Sequence, residues 1–264
     1  MLSSAVWAGQ IPIAAAHALP DIFDASATVR SELARIGFLG DTPCSHEANP
    51  LAAHFELHIE QGPVLEASGR MIGVVQGSQA YKWLTFTVDG RDAHTGTTPL
   101  AHRRDAVLAA AKMIAASNAV ARSRDALAST GVLKIPPGSS TNTLASQVTF
   151  TLDIRHPDGR AVAQVLEECL VRFGAISQED GRGVSFSYTL DTDSPAARFH
   201  PDCIGVVRTA ADEVVGPEAW LDLTSGAGHD SVCTSAICPT TMIFVPCRDG
   251  VSHHPEEYCS PEDW

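Results

Sequence analysis

Five short segments of this sequence combine histidines, carboxylates, glycines and small polar residues, the residue types that bind metals and polarise amide bonds. They are residues 56–63 (ELHIEQGP), 92–99 (DAHTGTTP), 141–155 (TNTLASQVTFTLDIR), 224–230 (TSGAGHD) and 250–257 (GVSHHPEE). No segment has the spacing of a phosphate-binding loop, a nucleophilic serine elbow or an H-E-x-x-H zinc helix. The sequence therefore gives no sign of a nucleotide site or of a serine nucleophile.

The first segment places a histidine between two carboxylates on one face of a predicted strand. Alternation puts Glu56, His58 and Glu60 on the same side, and Gly62 with Pro63 ends the strand. A neutral imidazole is a good Zn²⁺ ligand, and neighbouring carboxylates orient it. Taken alone, however, the pattern fits a hydrogen-bonded strand histidine better, so a metal site is expected only if other segments join it.

Each remaining segment offers a polar group that also has a structural explanation. His253 and His254 follow an apolar run, where α/β enzymes place ligands, but a solvated turn has the same composition. His229 follows two glycines that would let the backbone approach a ligand, or it caps a helix. His94 lies in a polar loop that could be an ordinary turn. Arg155 ends a strand and is suited to a substrate carboxylate, or to a surface ion pair.

The elements that must position these residues fall into two groups. The central group has strands predicted at 83–88, 131–135, 147–154 and 184–190 and helices at 104–121 and 161–173. The order β-α-β-β-α-β is the arrangement of ferredoxin-like domains.

The flanking segments alternate helix and strand, which predicts an α/β layer. Their predicted elements are helices at 25–36 and 201–215 and strands at 54–59, 220–223 and 241–245. We therefore expect an α/β catalytic domain formed by residues 1–75 and 191–264, interrupted by a ferredoxin-like domain at residues 76–190.

Composition narrows the class of protein. The chain has 264 residues, of which 44% are hydrophobic, so it can form a substantial core. The sequence contains no run of 18 consecutive apolar residues, so no membrane-spanning helix is predicted. Lys and Arg number 18 against 31 Asp and Glu, and the net charge of −13 argues against nucleic-acid or anionic-membrane partners. Seven cysteines without C-x-x-C spacing predict reduced thiols in a cytoplasmic protein.

In their order along the chain, the segments resemble those of one family. ELHIEQGPVLE, DAHTGTTP followed by RRDA, NTLASQVTFTLDIR, SGAGHD, and MIFVP before GVSHHPEE are similar to the amidohydrolases that cleave N-carbamoyl-L-amino acids, β-ureidopropionate, allantoate and ureidoglycolate. These enzymes are relatives of the di-zinc aminoacylases and exopeptidases. The resemblance covers the whole chain and implies a zinc-exopeptidase-like α/β catalytic domain interrupted by a ferredoxin-like dimerisation domain.

The resemblance also implies roles for individual residues. His58 and His253 would bind metal, with two divalent ions (zinc, manganese, cobalt or nickel) in the full site. His94 would reach the active site of the partner subunit in a homodimer and stabilise the oxyanion. The substrate-binding residues that it implies are Gln61, Lys82, Asn142, Arg155, Gly228 and His229. The substrate would be a small ureido or N-acyl amino acid, cleaved at a non-peptide C–N bond.

Two parts of the family pattern have no counterpart in this sequence. An H-x-D motif and a Glu-Glu pair are missing upstream of His58, and the sequence ends at SPEDW, where the family begins its last helix. We therefore expect a fragment truncated at both ends that supplies only two metal ligands and is inactive alone. The alternatives are a non-catalytic dimerisation or binding remnant and, among enzymes, an aminoacylase or dipeptidase.

Overall fold

The computed structural model describes residues 1–179 and 183–264. Its helices are α1 (Leu2–Trp7), α2 (Ile13–His17), α3 (Val29–Arg35), α4 (Val64–Ser68), α5 (Ala106–Arg122), α6 (Gly159–Glu179), α7 (Pro201–Val214) and α8 (Asp230–Thr234). Its strands are β1 (His54–Ile59), β2 (Ile72–Ser78), β3 (Ala80–Asp89), β4 (Ala93–His94), β5 (Leu127–Ser129), β6 (Leu133–Lys134), β7 (Thr143–Leu144), β8 (Gln147–His156), β9 (Ser185–Ser194), β10 (Ala197–Arg198), β11 (Trp220–Ser225) and β12 (Thr240–Val245). None of the helices described is long and apolar enough to cross a membrane.

The chain divides into two compact units, the first formed by residues 1–78 and 197–264 and the second by residues 79–196. The first unit contains a five-stranded sheet with the order β1-β12-β2-β10, in which β11 also pairs with β2. β1 runs parallel to β12, and β11 runs parallel to β2, whereas β12 and β2 are antiparallel. This is a mixed α/β sheet, and it confirms the predicted fold class.

Helix α7 covers one part of this sheet. His200 caps it by accepting a hydrogen bond from the Asp202 N–H, and Pro201 occupies the first turn, where its missing N–H costs nothing. The apolar face of the helix buries Ile204 and Val207 against β2 and β12. Burial of this helical face supplies most of its stability, because an isolated helix of this length is marginal in water.

The second unit is a ferredoxin-like βαββαβ fold. Its five-stranded sheet has the order β5-β8-β3-β9, with the short β6 also paired to β8, and all pairings are antiparallel. Helices α5 and α6 pack together on one face of the sheet. At the centre of the core, Phe86 stacks on Phe150 with ring centroids 5.1 Å apart and meets Phe173 edge-on at 5.2 Å.

The unit boundaries lie a few residues from the positions predicted from the sequence. The second unit spans residues 79–196 rather than 76–190. β2 stays in the first sheet as far as Ser78, and β9 pairs with β3 along its length to Ser194. That the second unit serves in dimerisation stays a prediction.

Candidate metal centre and substrate-binding residues

Two parallel strands end side by side at the candidate site. β1 and β12 pair in register from His54 with Thr240 to Ile59 with Val245. Since parallel strands share the edge of the sheet at which they end, the motif after β1 and the motif after β12 meet there. The sheet thus joins two sequence segments that are distant along the chain.

Glu56, His58 and His229 form a cluster that could hold a metal ion. Each residue offers one ligand atom within 4.8 Å of the other two. Glu56 and His58 alternate onto one face of β1, and His229 lies immediately before α8. The two imidazole rings meet edge-on with centroids 4.7 Å apart. Two imidazoles and a carboxylate are a donor set that suits Zn²⁺ and related divalent ions.

The tautomer of His58 is set by the backbone. Its Nδ1 lies 2.7 Å from the carbonyl oxygen of Ile59. A carbonyl oxygen can only accept a hydrogen bond, so in the neutral ring Nδ1 carries the proton and Nε2 keeps its lone pair. Histidine ligands in proteins are commonly held in this way, with one ring nitrogen on a backbone carbonyl and the other on the metal.

Glu56 is held by Ser231 in the first turn of α8. Its Oε2 accepts hydrogen bonds from the Ser231 N–H at 2.9 Å and from the Ser231 hydroxyl at 2.7 Å. Its Oε1 lies 4.0 Å from Nδ1 of His229. Ser231 is fully buried. One carboxylate oxygen is therefore fixed by the fold, and the other faces the two histidines.

His229 is buried and neutral. Its Nε2 lies 2.7 Å from the hydroxyl of Ser225. Burial, reinforced by neighbouring His58, lowers the pKa of His229 to about 4, although Glu56 and Asp230 act in the opposite direction. An uncharged imidazole is the form that binds metal, so the fold keeps this ring ready at neutral pH.

Glu60, the third residue of the sequence pattern, directly follows β1 and has a different role. Its two carboxylate oxygens accept hydrogen bonds from the N–H groups of Val64 and Leu65, at 2.9 and 2.7 Å. The side chain therefore caps α4. The alternation in the sequence did not distinguish this cap from a metal ligand.

Gln61 and His253 lie on the two loops that leave β1 and β12. Both adopt a left-handed backbone conformation, with φ of 57°, which is uncommon outside glycine. The Gln61 amide donates to the Ser252 hydroxyl at 2.7 Å, and Glu257 accepts from that hydroxyl and from the His253 N–H. These bonds lower the pKa of Glu257. Within the described part of the chain, His253 lies outside the three-residue cluster.

Gly228 belongs to the loop between β11 and α8. The neighbouring Ala227 is held on both sides, since its carbonyl accepts from Ser78 and Ser225 and its N–H donates to Ser225. The loop is thus fixed by short polar contacts, and its last residue is His229.

His94 and Asn142 lie together in the second unit. β4 pairs with β7 so that His94 is opposite Thr143, and the Thr95 N–H donates to the Asn142 carbonyl at 2.9 Å. Nδ1 of His94 accepts hydrogen bonds from the N–H groups of Gly96 and Thr97. The ring is exposed, and when it is neutral its proton is on Nε2, which can donate.

Lys82 and Arg155 lie on the adjacent strands β3 and β8 of the second unit. Lys82 forms a salt bridge with Asp193. Arg155 holds Asp153 through its Nε at 3.0 Å and a second nitrogen at 2.6 Å, and its guanidinium lies 5.1 Å from the centre of the Tyr81 ring. The ion pair that the sequence left as an alternative for Arg155 is therefore present.

The sequence pattern treated Glu56 as a carboxylate that orients His58, and the family resemblance assigned His229 to substrate binding. The structure brings both to His58. The alternation along β1 already placed Glu56 beside His58, and it is the signal that identifies this carboxylate. Nothing in the sequence placed His229 opposite β1, because that contact depends on how β11 and α8 return to the sheet.

The chain matches the model of Peptidase family M20/M25/M40 over residues 27–264, and it belongs to that family. It is 38% identical to the N-carbamoyl-L-amino-acid amidohydrolase of Rhizobium meliloti over 99% of this chain and 61% of that protein. It is 33% identical to the allantoate amidohydrolase of Escherichia coli (strain K12) over 78% of this chain and 50% of that protein. The resemblance stated from the sequence motifs is confirmed.

Solved structures agree with this assignment. The crystal structure of an amidase of the hydantoinase/carbamoylase family from Burkholderia multivorans superposes with a TM-score of 0.88 at 36% identity, covering 99% of this chain and 62% of that one. The chain thus spans about three fifths of the length of relatives such as these.

Proposed function

We propose that this chain is the metal- and substrate-binding part of a hydrolase that cleaves the non-peptide C–N bond of an N-carbamoyl amino acid or a related ureido acid. The observation that carries the proposal is the cluster of Glu56, His58 and His229. It lies in a chain that is 38% identical, over nearly its full length, to an N-carbamoyl-L-amino-acid amidohydrolase.

The cluster supplies the ligands for one divalent ion. Nε2 of His58, the free oxygen of Glu56 and the neutral ring of His229 are the groups that would hold it. When bound, such an ion polarises a carbonyl oxygen and lowers the pKa of water. We propose that a second ion uses His253, whose loop is tied to the end of β1 through Ser252 and Gln61.

The substrate would be oriented by groups outside the metal cluster. We propose that Gln61, which follows β1, and the loop that contains Gly228, which leads into His229, offer amide and backbone hydrogen bonds to the substrate. In the second unit, Asn142, Lys82 and Arg155 complete the proposed set. Arg155 already holds one carboxylate in a two-pronged geometry, that of Asp153, and we propose that it receives the substrate carboxylate in the same way.

His94 is proposed to donate a hydrogen bond to the oxyanion that develops on the substrate. The two backbone N–H groups on its Nδ1 leave Nε2–H as the outward donor. A donor that is fixed before the reaction stabilises developing charge without having to reorganise. We propose that it acts in the partner subunit of a homodimer.

The second unit offers a surface for this homodimer. In the parts of the chain that are described, β9 pairs only with β3, so the other edge of this ten-residue strand is free. Two such edges related by a two-fold axis can pair. We also propose that the protein works in the cytoplasm, where its seven free cysteines would stay reduced.

A chimera tests the proposed activity. The aligned region of the Rhizobium meliloti relative is replaced with this chain, and ammonia release from N-carbamoyl-L-amino acids is measured with added Zn²⁺ or Mn²⁺. We expect hydrolysis that His58→Ala abolishes and that the matched variant His17→Ala retains. A folded chimera that cleaves N-acetyl amino acids or dipeptides instead would support an aminoacylase or dipeptidase. A folded chimera without hydrolytic activity would support a non-catalytic remnant.

A further inference from the structure

The loop that follows β4 wraps around the imidazole of His94. The N–H groups of Gly96 and Thr97 donate to its Nδ1, at 3.1 and 3.2 Å, and the Thr98 N–H donates to the His94 carbonyl at 3.1 Å. A Cβ at Gly96 would lie 3.2 Å from Cε1 of the ring, so the close approach of the backbone favours glycine there. The orientation of the ring therefore depends on the course of this short segment.

A single guanidinium group holds both ends of the segment. The Nε of Arg103 donates to the Thr98 carbonyl at 2.9 Å, and its Nη2 donates to the Thr95 carbonyl. These two carbonyls flank residues 96 and 97, whose N–H groups face His94. Arginine suits this position because its donors are fixed in one plane and hold two acceptors at a set separation. A lysine would supply the same charge without that geometry.

The side chain of Arg103 reaches the loop from a fixed base. Arg103 is half-buried and lies between the 3₁₀ helix Leu100–His102 and α5, which packs in the core of the second unit. The carbonyl of the next residue, Arg104, accepts a hydrogen bond from the Arg91 N–H at 2.9 Å. A Cβ at Gly90 would lie 2.2 Å from the same carbonyl, so the two chain segments at the base of the loop are in close contact.

We propose that Arg103 is a positioning residue for His94: it holds the loop so that Nδ1 stays an acceptor and Nε2–H stays available as a donor. This role rests on the proposed function, in which that donor meets the oxyanion. A preorganised donor is effective because it is fixed before the reaction, so a loosened loop would weaken its contribution even with His94 present. In this role Arg103 acts through His94 and not on the substrate or the metal.

The first measurement uses this chain and needs no activity. Long-range proton–nitrogen NMR of protein with nitrogen-labelled histidine shows which ring nitrogen of His94 carries the proton and whether Nδ1 accepts a hydrogen bond. Amide exchange reports on the N–H groups of Gly96 and Thr97. In Arg103→Gln we expect both amides to exchange about tenfold faster and Nδ1 of His94 to lose its hydrogen-bonded shift.

Two further variants accompany this measurement. Arg103→Lys keeps the charge and most of the apolar stem but can hold only one of the two carbonyls well, so it should change both signals in the same direction by a smaller amount. Arg104→Gln is the matched control, because this neighbouring side chain is exposed. It should leave the amide exchange and the His94 spectrum as they are in the wild type.

The second measurement is a double-mutant cycle in the active chimera. Arg103→Gln should lower kcat by about tenfold when His94 is present and by less than about twofold in the His94→Ala background, because a residue that acts through His94 loses its effect when that ring is removed. KM and zinc affinity should stay unchanged. A merely structural role would lower kcat equally in both backgrounds.

Either of two results would overturn the inference. One is amide exchange and a His94 spectrum that stay the same in the wild type, Arg103→Gln and Arg103→Lys. The other is an equal loss of kcat with and without His94. If Arg103→Gln does not fold, Arg103→Lys decides both measurements. An inactive chimera, together with a His94 ring that is released in the Arg103 variants, would contradict the proposed function while the placement of His94 by Arg103 stands.

Discussion

The imidazole of His58 meets that of His229 edge-on, with ring centroids 4.7 Å apart and an angle of 72° between the ring planes. His58 lies on β1, whereas His229 ends the loop after β11. A positive charge on the His229 ring is disfavoured at this distance from a second imidazole. Burial, reinforced by the neighbouring His58, keeps the ring of His229 neutral, so that this ring offers a nitrogen lone pair.

The first prediction concerns the pH dependence of folding in the metal-free protein. The folded-state pKa of His229, about 4, lies below the unfolded value of 6.5, so folding favours the neutral ring. The contribution of the neutral His229 ring to the free energy of unfolding is fully present above pH 6.5 and is lost as the pH falls from 6.5 toward 4. In EDTA, the difference in unfolding free energy between wild type and His229→Gln should shrink by about 3 kcal/mol over this range.

Urea denaturation at a series of pH values measures this difference. His254 is exposed and lies on the loop after β12, so His254→Gln is the control. Its unfolding free energy should change with pH in the same way as that of the wild type. A constant difference between wild type and His229→Gln would show that burial does not depress the pKa of His229.

The second prediction concerns the carboxylate of the cluster. Glu56→Gln keeps an oxygen that accepts from Ser231 but removes the charge, and it should weaken zinc binding roughly 10- to 100-fold. Ser231→Ala removes one of the two hydrogen bonds that fix Glu56 and should weaken binding by about tenfold, as expected for a bond to a charged group. Competition with a fluorescent zinc chelator measures both. Glu47→Gln, at an exposed position, is the control and should bind zinc like the wild type. If Glu56→Gln and Ser231→Ala also bound zinc with the wild-type affinity, Glu56 would be excluded as a ligand.

The third prediction concerns the contact between the two loops at the site. Gly250 has a φ of +64°, and a Cβ there would lie 2.9 Å from the Gly62 carbonyl carbon and the Pro63 nitrogen. Gly69 has nearly the same φ, +63°, with open space around it. Gly69→Ala should therefore cost only the backbone strain, about 1–2 kcal/mol, and Gly250→Ala should cost about 1–3 kcal/mol more. Equal unfolding free energies for the two variants would show that the loops separate easily.

Much of the fold could be predicted from local patterns in the sequence. The alternation in residues 147–154 identified β8, and the apolar spacing after residue 104 identified α5, because each element buries one regular face. Other elements depend on contacts that periodicity does not contain. The strand predicted at 131–135 is only the two-residue strand β6, and β5 at Leu127–Ser129 was not predicted; both pair with β8. The helix predicted to begin at residue 25 begins at Val29, where Thr28 and Ser31 form a capping box.

The candidate site was predictable to a similar degree. His58 was found because its motif is contiguous, and its alternation with Glu56 is local. The meeting of β1 with the loop before α8 is a tertiary contact between residues more than 170 positions apart, as the bond from Ser231 to Glu56 shows. Local pattern alone therefore could not place His229 beside Glu56 and His58.

The fourth prediction concerns His94 in a catalytically active dimer, such as the chimera. His94→Ala should lower kcat by about 10²–10³ and leave zinc affinity unchanged, because the side chain donates to the oxyanion and does not bind metal. If His94 acts in the partner subunit, mixing His94→Ala with His253→Ala subunits creates dimers with one intact site. Freely exchanging subunits should recover about a quarter of wild-type activity, since half of the dimers are mixed. Activity that stays at the level of the two parent variants would place His94 in its own subunit's site or outside catalysis.

The proposed function depends on metal binding by the cluster of Glu56, His58 and His229, so zinc binding to this chain is the decisive measurement. Calorimetric titration and elemental analysis give the affinity and the number of ions bound. We expect one Zn²⁺ per chain, held weakly enough to be removed by dialysis, and loss of this binding in both His58→Ala and His229→Ala with the fold intact. No zinc binding, or an affinity that is unchanged in both variants, would exclude this cluster as the metal site.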